Sequence, residues 1–309
     1  MTTLGPLIVA LALDGLIGDP PGLWRRIPHP VVLMGRLVGM FDLALNKGAG
    51  RRARGALALG LMLALAAGLG AAIAALPDDG VTEVALAAIL FAQNALMRHV
   101  GDVARALREG VAQGRAAVAR IVGRDTSALD ETGIARAAIE SAGENFSDGV
   151  VAPAFWFALF GLPGIMAYKM LNTADSMIGY RNERYGEFGW ATARLDDLAN
   201  WIPARLSGLL IALAGGSLRA LGVMRRDAPK HRSPNAGWPE AALAAALGVA
   251  IAGPRSYEGR MVDEPLVNAG GRRQAGADDI ERAAALLWRA WALLLAGLIL
   301  TWLIRQGGG

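Results

Sequence analysis

An all-α fold embedded in a membrane, a polytopic helical bundle, follows from three observations in the sequence. Of the 309 residues, 54% are hydrophobic and only 19% charged, whereas soluble domains carry about 25% charged residues. Gly55 to Leu76 holds no charge at all, and at about 1.5 Å per residue it spans a hydrocarbon core of roughly 30 Å. No segment sustains the two-residue alternation of a strand.

Apolar segments fall at 2–17, 55–76, 84–97, 149–168, 198–218, 241–253 and 283–304. The first is near the lower limit for spanning and contains Asp14, and it lacks the basic start of a signal peptide. The second is the clearest span. The last is interrupted only by Arg289. The long polar stretch 98–148 spreads arginines among alanines and valines at helical spacing, the pattern of an amphipathic helix facing headgroups and solvent. The fourth run carries the break Gly-Leu-Pro-Gly at 161–164, which allows a re-entrant or in-plane helix where protein or a wet cavity covers it. One membrane-embedded domain, 1–309, is expected. Basic residues crowd 18–54 (Arg25, Arg26, Arg36, Lys47, Arg51, Arg52, Arg54), whereas 77–83 is acidic. The positive-inside rule therefore places 18–54 and 98–148 in the cytoplasm.

Cysteine is absent, which excludes disulfides, thiolate metal sites and a cysteine nucleophile. The net charge of +4 is mild and explained by orientation, so no nucleic-acid partner is expected. There is no Walker loop, no Rossmann fingerprint, no Gly-x-Ser-x-Gly elbow and no His-Glu-x-x-His pair.

Polar residues gather in four segments, about 14–36, 140–149, 169–205 and 225–240. In the first, Asp14 sits in or at the rim of an apolar helix, Gly-Asp-Pro-Pro at 18–21 turns the chain, and His29 lies between two prolines. A carboxylate at membrane depth costs a few kcal/mol and tends to pair or line a cavity. An exposed loop histidine is the plain alternative for His29. In the second, Glu140, Glu144 and Asp148 recur every four residues, a stripe of like charge that a cation, a basic helix or simple solvation must offset. In the third, Asn172, Asp175 and Ser176 share one face if 169–176 is helical. Gly179, Gly186 and Gly189 then allow close backbone approach to a ligand. Lys169, Arg181, Asn182, Arg184, Tyr185, Arg194, Asp196, Asp197 and Arg205 surround them. Arginines beside aspartates suit phosphate or carboxylate clamping next to metal or proton chemistry; a salt-bridged loop is the alternative. The fourth segment, with Arg225, Arg226, Lys230 and Arg232, is the basic edge common beside membrane spans.

The elements "DGLIGDP…HPVVLMGR", "ESAGENFSDGVVAPAFWFALFGLPG", "AYKMLNTADSMIGYRNERYGEFGWATARLDDLANWIPARLSG" and "HRSPNAGWPEAALAAALG", in this order over about residues 10 to 270, resemble the adenosylcobinamide-phosphate synthase family of cobalamin biosynthesis (CobD/CbiB). The resemblance implies an integral inner-membrane enzyme that joins the corrinoid adenosylcobyric acid to aminopropanol or its O-phosphate by ATP-dependent amide formation with Mg²⁺. It implies a catalytic set of His29, Glu140, Glu144, Asp175, Asp196 and Asp197, and metal ligands among Glu144, Asp175 and Asp197. ATP and substrate would be held by Lys169, Asn172, Arg181, Asn182, Arg184, Tyr185 and Arg205. The site would face the cytoplasm, with membrane lipid as the surrounding partner and a homo-oligomer compatible with the sequence. A transporter binding solute at broken helices, or a non-catalytic membrane sensor, is the rival reading. The first would show inverted repeats, which are not visible, and the second would lack the dense third segment.

Overall fold

The computed structural model describes residues 3–18, 22, 24–123, 125–253, 255–257, 260–262 and 264–307. It is helical almost throughout, as the sequence predicts. Among the described residues four stretches are long and apolar enough to cross a membrane: Arg51–Ala74, Val81–Glu109, Glu131–Ile178 and Ala277–Gly307. The chain divides into two compact units. The turn expected from Gly-Asp-Pro-Pro falls on residues 19–21, outside the described residues.

The first unit covers Met1–Ala92, Ala152–Asn200 and Leu298–Gly309. Its helices are α1 (Leu4–Leu16), α2 (Pro30–Leu45), α3 (Arg51–Ala74), α4 (Val81–Leu90), α8 (Ala152–Ile178) and α9 (Trp190–Ala199). One face of α3 presents Leu57, Leu61, Leu65 and Leu69, all exposed and one turn apart, the arrangement of a helix that meets lipid. Its other face buries Gly55, Ala58, Leu59, Met62, Ala66 and Gly70. Such small residues let membrane helices approach closely. At Gly55 a Cβ would stand 1.9 Å from the carbonyl oxygen of Phe188, and at Gly70 2.8 Å from Pro163 Cα. Asp14 is buried within α1.

The predicted break in the fourth apolar run is present. Gly161 adopts φ 63°, ψ −150° inside α8, a combination open to glycine alone. Side chains satisfy the backbone groups this break frees. Thr3 Oγ1 donates to the Ala158 carbonyl at 2.8 Å, and Leu162 N donates to Glu83 Oε1 at 3.3 Å. Beyond the break the helix runs on to Ile178, so Lys169, Asn172 and Asp175 ride on its last turns.

The apolar segment 198–218 is divided between two helices. Pro203 lacks the N–H that would reach the Ala199 carbonyl, and that carbonyl instead accepts from Trp156 Nε1 at 3.2 Å. The helix therefore restarts as α10 (Trp201–Ala214).

The second unit covers Gln93–Val151 and Trp201–Gly297. The amphipathic stretch resolves into α5 (Gln93–Glu109), α6 (Val111–Val118) and α7 (Glu131–Phe146), the last running into a π-helical turn at Ser147–Val151. On α5 the buried set Leu96, Met97, Val100, Val103, Ala104 and Leu107 recurs at helical spacing. Then come α10, α11 (Leu218–Asp227), α12 (Gly237–Leu247) and α13 (Ala277–Gly307, whose end belongs to the first unit). The apolar segment 241–253 does not stay helical: Gly248 takes φ 72°, a left-handed C-terminal cap. The chain continues as β1 (Ile251–Ala252), paired antiparallel with β4 (Leu266–Val267), while β2 (Arg255–Tyr257) pairs with β3 (Arg260–Val262).

Asp227 anchors this region. Its carboxylate, 1% exposed, accepts from Arg226 at 2.8 and 2.9 Å, from Lys230 at 2.8 Å and from the backbone N–H of Asn268 at 2.9 Å. Burial opposes ionisation, but the Arg226, Lys230 and Asn268 hydrogen bonds outweigh it and hold the carboxyl well below its usual range. Asp227→Ala leaves the buried Asn268 N–H without an acceptor. The expected loss is about 1–3 kcal/mol, read as a lowered melting midpoint of the purified protein.

Candidate active site

The first unit assembles the third polar segment around a seam of α8 and α9. Gly70 abuts Pro163, while Leu59 packs in one cluster with Tyr168, Leu171 and Ala199. The second half of α8 thus climbs antiparallel to α3. Helix α9 starts at the other end of α3, where the Arg52 guanidinium lies 3.6 Å over the Trp190 ring. Asn172 and Asp175 on α8 and Asp196 and Asp197 on α9 therefore meet a short distance inside the basic start of α3.

Asp196 is the centre of this group. Asn200 Nδ2 donates to its Oδ2 at 3.0 Å, and the Asn172 side chain also hydrogen-bonds to it. Its Oδ1 is closed off from solvent and has no hydrogen-bond partner among the described residues. Burial, then the charge of Asp175, pushes the Asp196 carboxyl up to about 7, with Asn200 and Asn172 pulling against them. Burial also raises Asp197, against the opposing pull of Arg194 and Arg181. Asn200 is itself fixed: its Oδ1 accepts from the buried Tyr168 hydroxyl at 2.8 Å. Beside Asp197 a cavity of about 70 Å³ is lined by Arg181, Arg194, Tyr180, Tyr185 and the three loop glycines.

The loop between the helices is clamped from below. Arg184 Nη2 donates to Asp42 Oδ2 at 2.7 Å, and the Tyr185 hydroxyl reaches the same oxygen at 3.4 Å. Asn46 Nδ2 donates to Asp42 Oδ1 at 2.8 Å and to the Arg184 carbonyl at 3.1 Å. Arg51 reaches Glu187 and the carbonyls of Glu183 and Arg184. Asn182 Oδ1 accepts from Tyr185 N at 2.9 Å, tightening the turn. Arg184 and Asn182 thus hold the loop in shape, Tyr185 does so while lining its cavity, and Arg181 lines the cavity. Lys169 is buried on α8. His29 is the N-cap of α2: its Nδ1 accepts from Val31 N at 3.2 Å, and Trp24 packs edge-on at 4.5 Å. That bond commits one ring nitrogen to folding.

The remaining candidates belong to the second unit. Glu140 is buried on α7, and its Oε1 accepts from Ala252 N at 2.8 Å, so it secures β1. Glu144 is exposed on the same helix. Arg205 lies between two indoles, 4.2 Å from Trp201 and 4.6 Å from Trp238, and donates to the Trp201 carbonyl at 2.7 Å and to Asn235 Oδ1 at 3.4 Å.

Among the described residues no three His, Asp or Glu side chains enclose a metal by themselves. The donors at Asp196 nevertheless fit Mg²⁺, which takes one or two carboxylates and completes its shell with water and substrate phosphates. The repulsion that Asp175 and Asp197 exert on Asp196 is the feature a cation beside it would relieve. Tyr168, Asn200, Asp42 and Asn46 were not legible as part of this site. Asn200 could have been found from its four-residue spacing to Asp196; Asp42 is the one acid of α2.

A family model described as "CobD/Cbib protein" matches residues 7–287. The chain is 52% identical over 306 residues to the cobalamin biosynthesis protein CobD of Rhizobium meliloti (strain 1021), covering 93% of each chain. It is 52% identical over 312 residues to CobD of Brucella suis biovar 1, with 95% of each chain covered. It is 47% identical over 302 residues to CobD of Rhodobacter capsulatus, with 95% of this chain and 96% of the relative covered. No solved structure matches the chain.

Proposed function

Because the chain belongs to the CobD/Cbib family of cobalamin biosynthesis, we propose that it is an ATP-dependent amide synthase, joining adenosylcobyric acid to aminopropanol or its O-phosphate. The observation that carries this reading is the Asp196 group: three aspartates and an asparagine on two facing helices, opening on a small cavity with two arginines.

The chemistry asks for those side chains. A carboxylate is a poor electrophile, so the γ-phosphoryl group of ATP passes to it, giving an acyl phosphate and ADP. The amine then attacks the acyl carbon and phosphate leaves. Arg181 and Arg194 offer cationic donors to phosphoryl oxygens. Asp175 and Asp197, beside Asp196, are the residues that would hold Mg²⁺, which when bound offsets phosphate charge. The amine arrives as an ammonium and must lose a proton. An acid whose pKa lies near 7 accepts that proton and can release it again at neutral pH. Asn200, braced by Tyr168, keeps the Asp196 oxygen that it binds turned away from the substrate. In this reading the protein lies in the inner membrane with the Arg52–Trp190 end of α3 on the cytoplasmic side. Glu144, Glu140, His29 and Arg205 are secondary candidates, each separable by its own alanine variant.

The test is direct. Purified protein is incubated with adenosylcobyrate, each amine in turn, ATP and Mg²⁺, and the corrinoid product is weighed by mass spectrometry. The amide mass, with ADP formed in equal amount, is the expected result. Corrinoid recovered unchanged with either amine would overturn the synthase reading and favour a carrier.

A further inference from the structure

We propose that an apolar cavity in the first unit holds one acyl chain of an anionic membrane phospholipid, whose headgroup sits on Arg52. The cavity has a volume of about 450 Å³, within the roughly 300–1,000 Å³ of small-molecule sites. It is lined by Leu63 and Ala67 of α3, Trp156, Phe160, Ala167 and Tyr168 of α8, and Leu195, Leu198 and Ala199 of α9. Its polar edges are already committed within the protein. The Tyr168 hydroxyl goes to Asn200, and the Trp156 indole N–H goes to the Ala199 carbonyl.

That lining selects the occupant. A corrinoid carries amide side chains around its rim, and each would lose its hydrogen bonds with water here and find none in return. A hydrocarbon chain loses nothing. Two of the three wall helices, α3 and α8, lie in stretches of spanning length and composition, and the lining residue Leu198 of α9 is 70% exposed, so the opening gives onto acyl chains.

The headgroup end is on the same seam. Trp190, Ala191, Leu195 and Leu198 follow one side of α9 along α3, with Ala191, Leu195 and Leu63 packed on the shared core cluster. At its start Arg52 is exposed and stacked on Trp190. Among the described residues Arg52 has no carboxylate partner. A tryptophan at this level marks a membrane–water interface. Leu63 and Ala67 lie about 17 to 22 Å from Arg52 at 1.5 Å per residue, against about 15 Å for one leaflet of a roughly 30 Å core, so the cavity lies at the level of the inner chain ends. A phosphate on Arg52 therefore puts the far part of its chain in the cavity.

The experiment uses the full-length protein in mild detergent after an extensive delipidating wash. Native mass spectrometry is expected to show one retained phospholipid per chain, enriched in phosphatidylglycerol over phosphatidylethanolamine. The double variant Ala67→Phe/Ala167→Phe, which fills the cavity, should lower retention at least fivefold, and Arg52→Gln should abolish the headgroup preference. Equal retention by the filled variant, or a retained corrinoid in place of lipid, would overturn the proposal. Should the filled variant fail to fold, the unaltered cavity is probed in nanodiscs with phosphatidylglycerol brominated near the chain end. The fluorescence difference between wild type and Trp156→Phe should be quenched by at least half; no quenching also refutes it.

Discussion

Asp196→Asn is expected to lower amide synthesis by about 10²- to 10⁴-fold, the contribution of one positioned acid–base group, while leaving the protein in the membrane at its normal level. The change keeps the size of the side chain and the Asn200 contact, so it removes charge and proton capacity with little else. Product formed per minute by membranes carrying equal amounts of each protein gives the comparison. Wild-type turnover in the variant would remove Asp196 from the chemistry and leave it a role in packing.

The same substitution has an opposite effect on stability. The Asp196 carboxyl has a pKa of about 7 in the folded protein against about 3.9 in an unfolded chain. Between those values the folded state holds more protons than the unfolded one, so stability falls as pH rises from about 4 to 7 and stays low above. Melting midpoints of the wild type, taken without substrate or metal, should therefore decline over that window. Asp196→Asn cannot ionise and should flatten the decline, matching or exceeding wild-type stability at pH 8. Loss of activity with no loss of stability is the behaviour of a site held under electrostatic strain.

The membrane-spanning character was legible because it rests on composition over long windows. The lipid-facing leucines of α3 and the Gly161 break both follow from local sequence. The third polar segment was also legible, because Asn172 and Asp175 share a helical face and Asp196 and Asp197 are adjacent. What escaped notice depends on tertiary pairing. Arg184 and Tyr185 read as ligand clamps, and nothing local shows that Asp42, more than a hundred residues earlier, accepts from both. Glu140 read as part of an acidic stripe, yet it serves a backbone N–H of β1. The end of α9 at Asn200 needed Pro203 to be weighed inside an otherwise unbroken apolar run. A sequence shows which residues are costly to bury; which partner offsets the cost is set by packing.

That packing is most exposed to test at Gly189. Its backbone has φ −80° and ψ −2°, which alanine adopts without strain, so conformational freedom does not explain the glycine. Space does. A Cβ there would lie 1.7 Å from the carbonyl oxygen of Ile178 and 2.7 Å from its carbon, both backbone atoms that cannot rotate aside. Gly189→Ala must push the start of α9 away from the end of α8. The overpacking costs about 1–3 kcal/mol or more, and it shifts Asp196 and Asp197 relative to Asn172 and Asp175. Displacing reacting groups by about 1 Å is enough for a 10²-fold loss in rate, so synthesis should fall at least that far. Gly68→Ala is the control: nothing lies within 4 Å of its Cβ position, and activity should be unchanged. Full activity in Gly189→Ala would mean that the two helices need not meet at this spacing, and the Asp196 group would lose its claim to be one site.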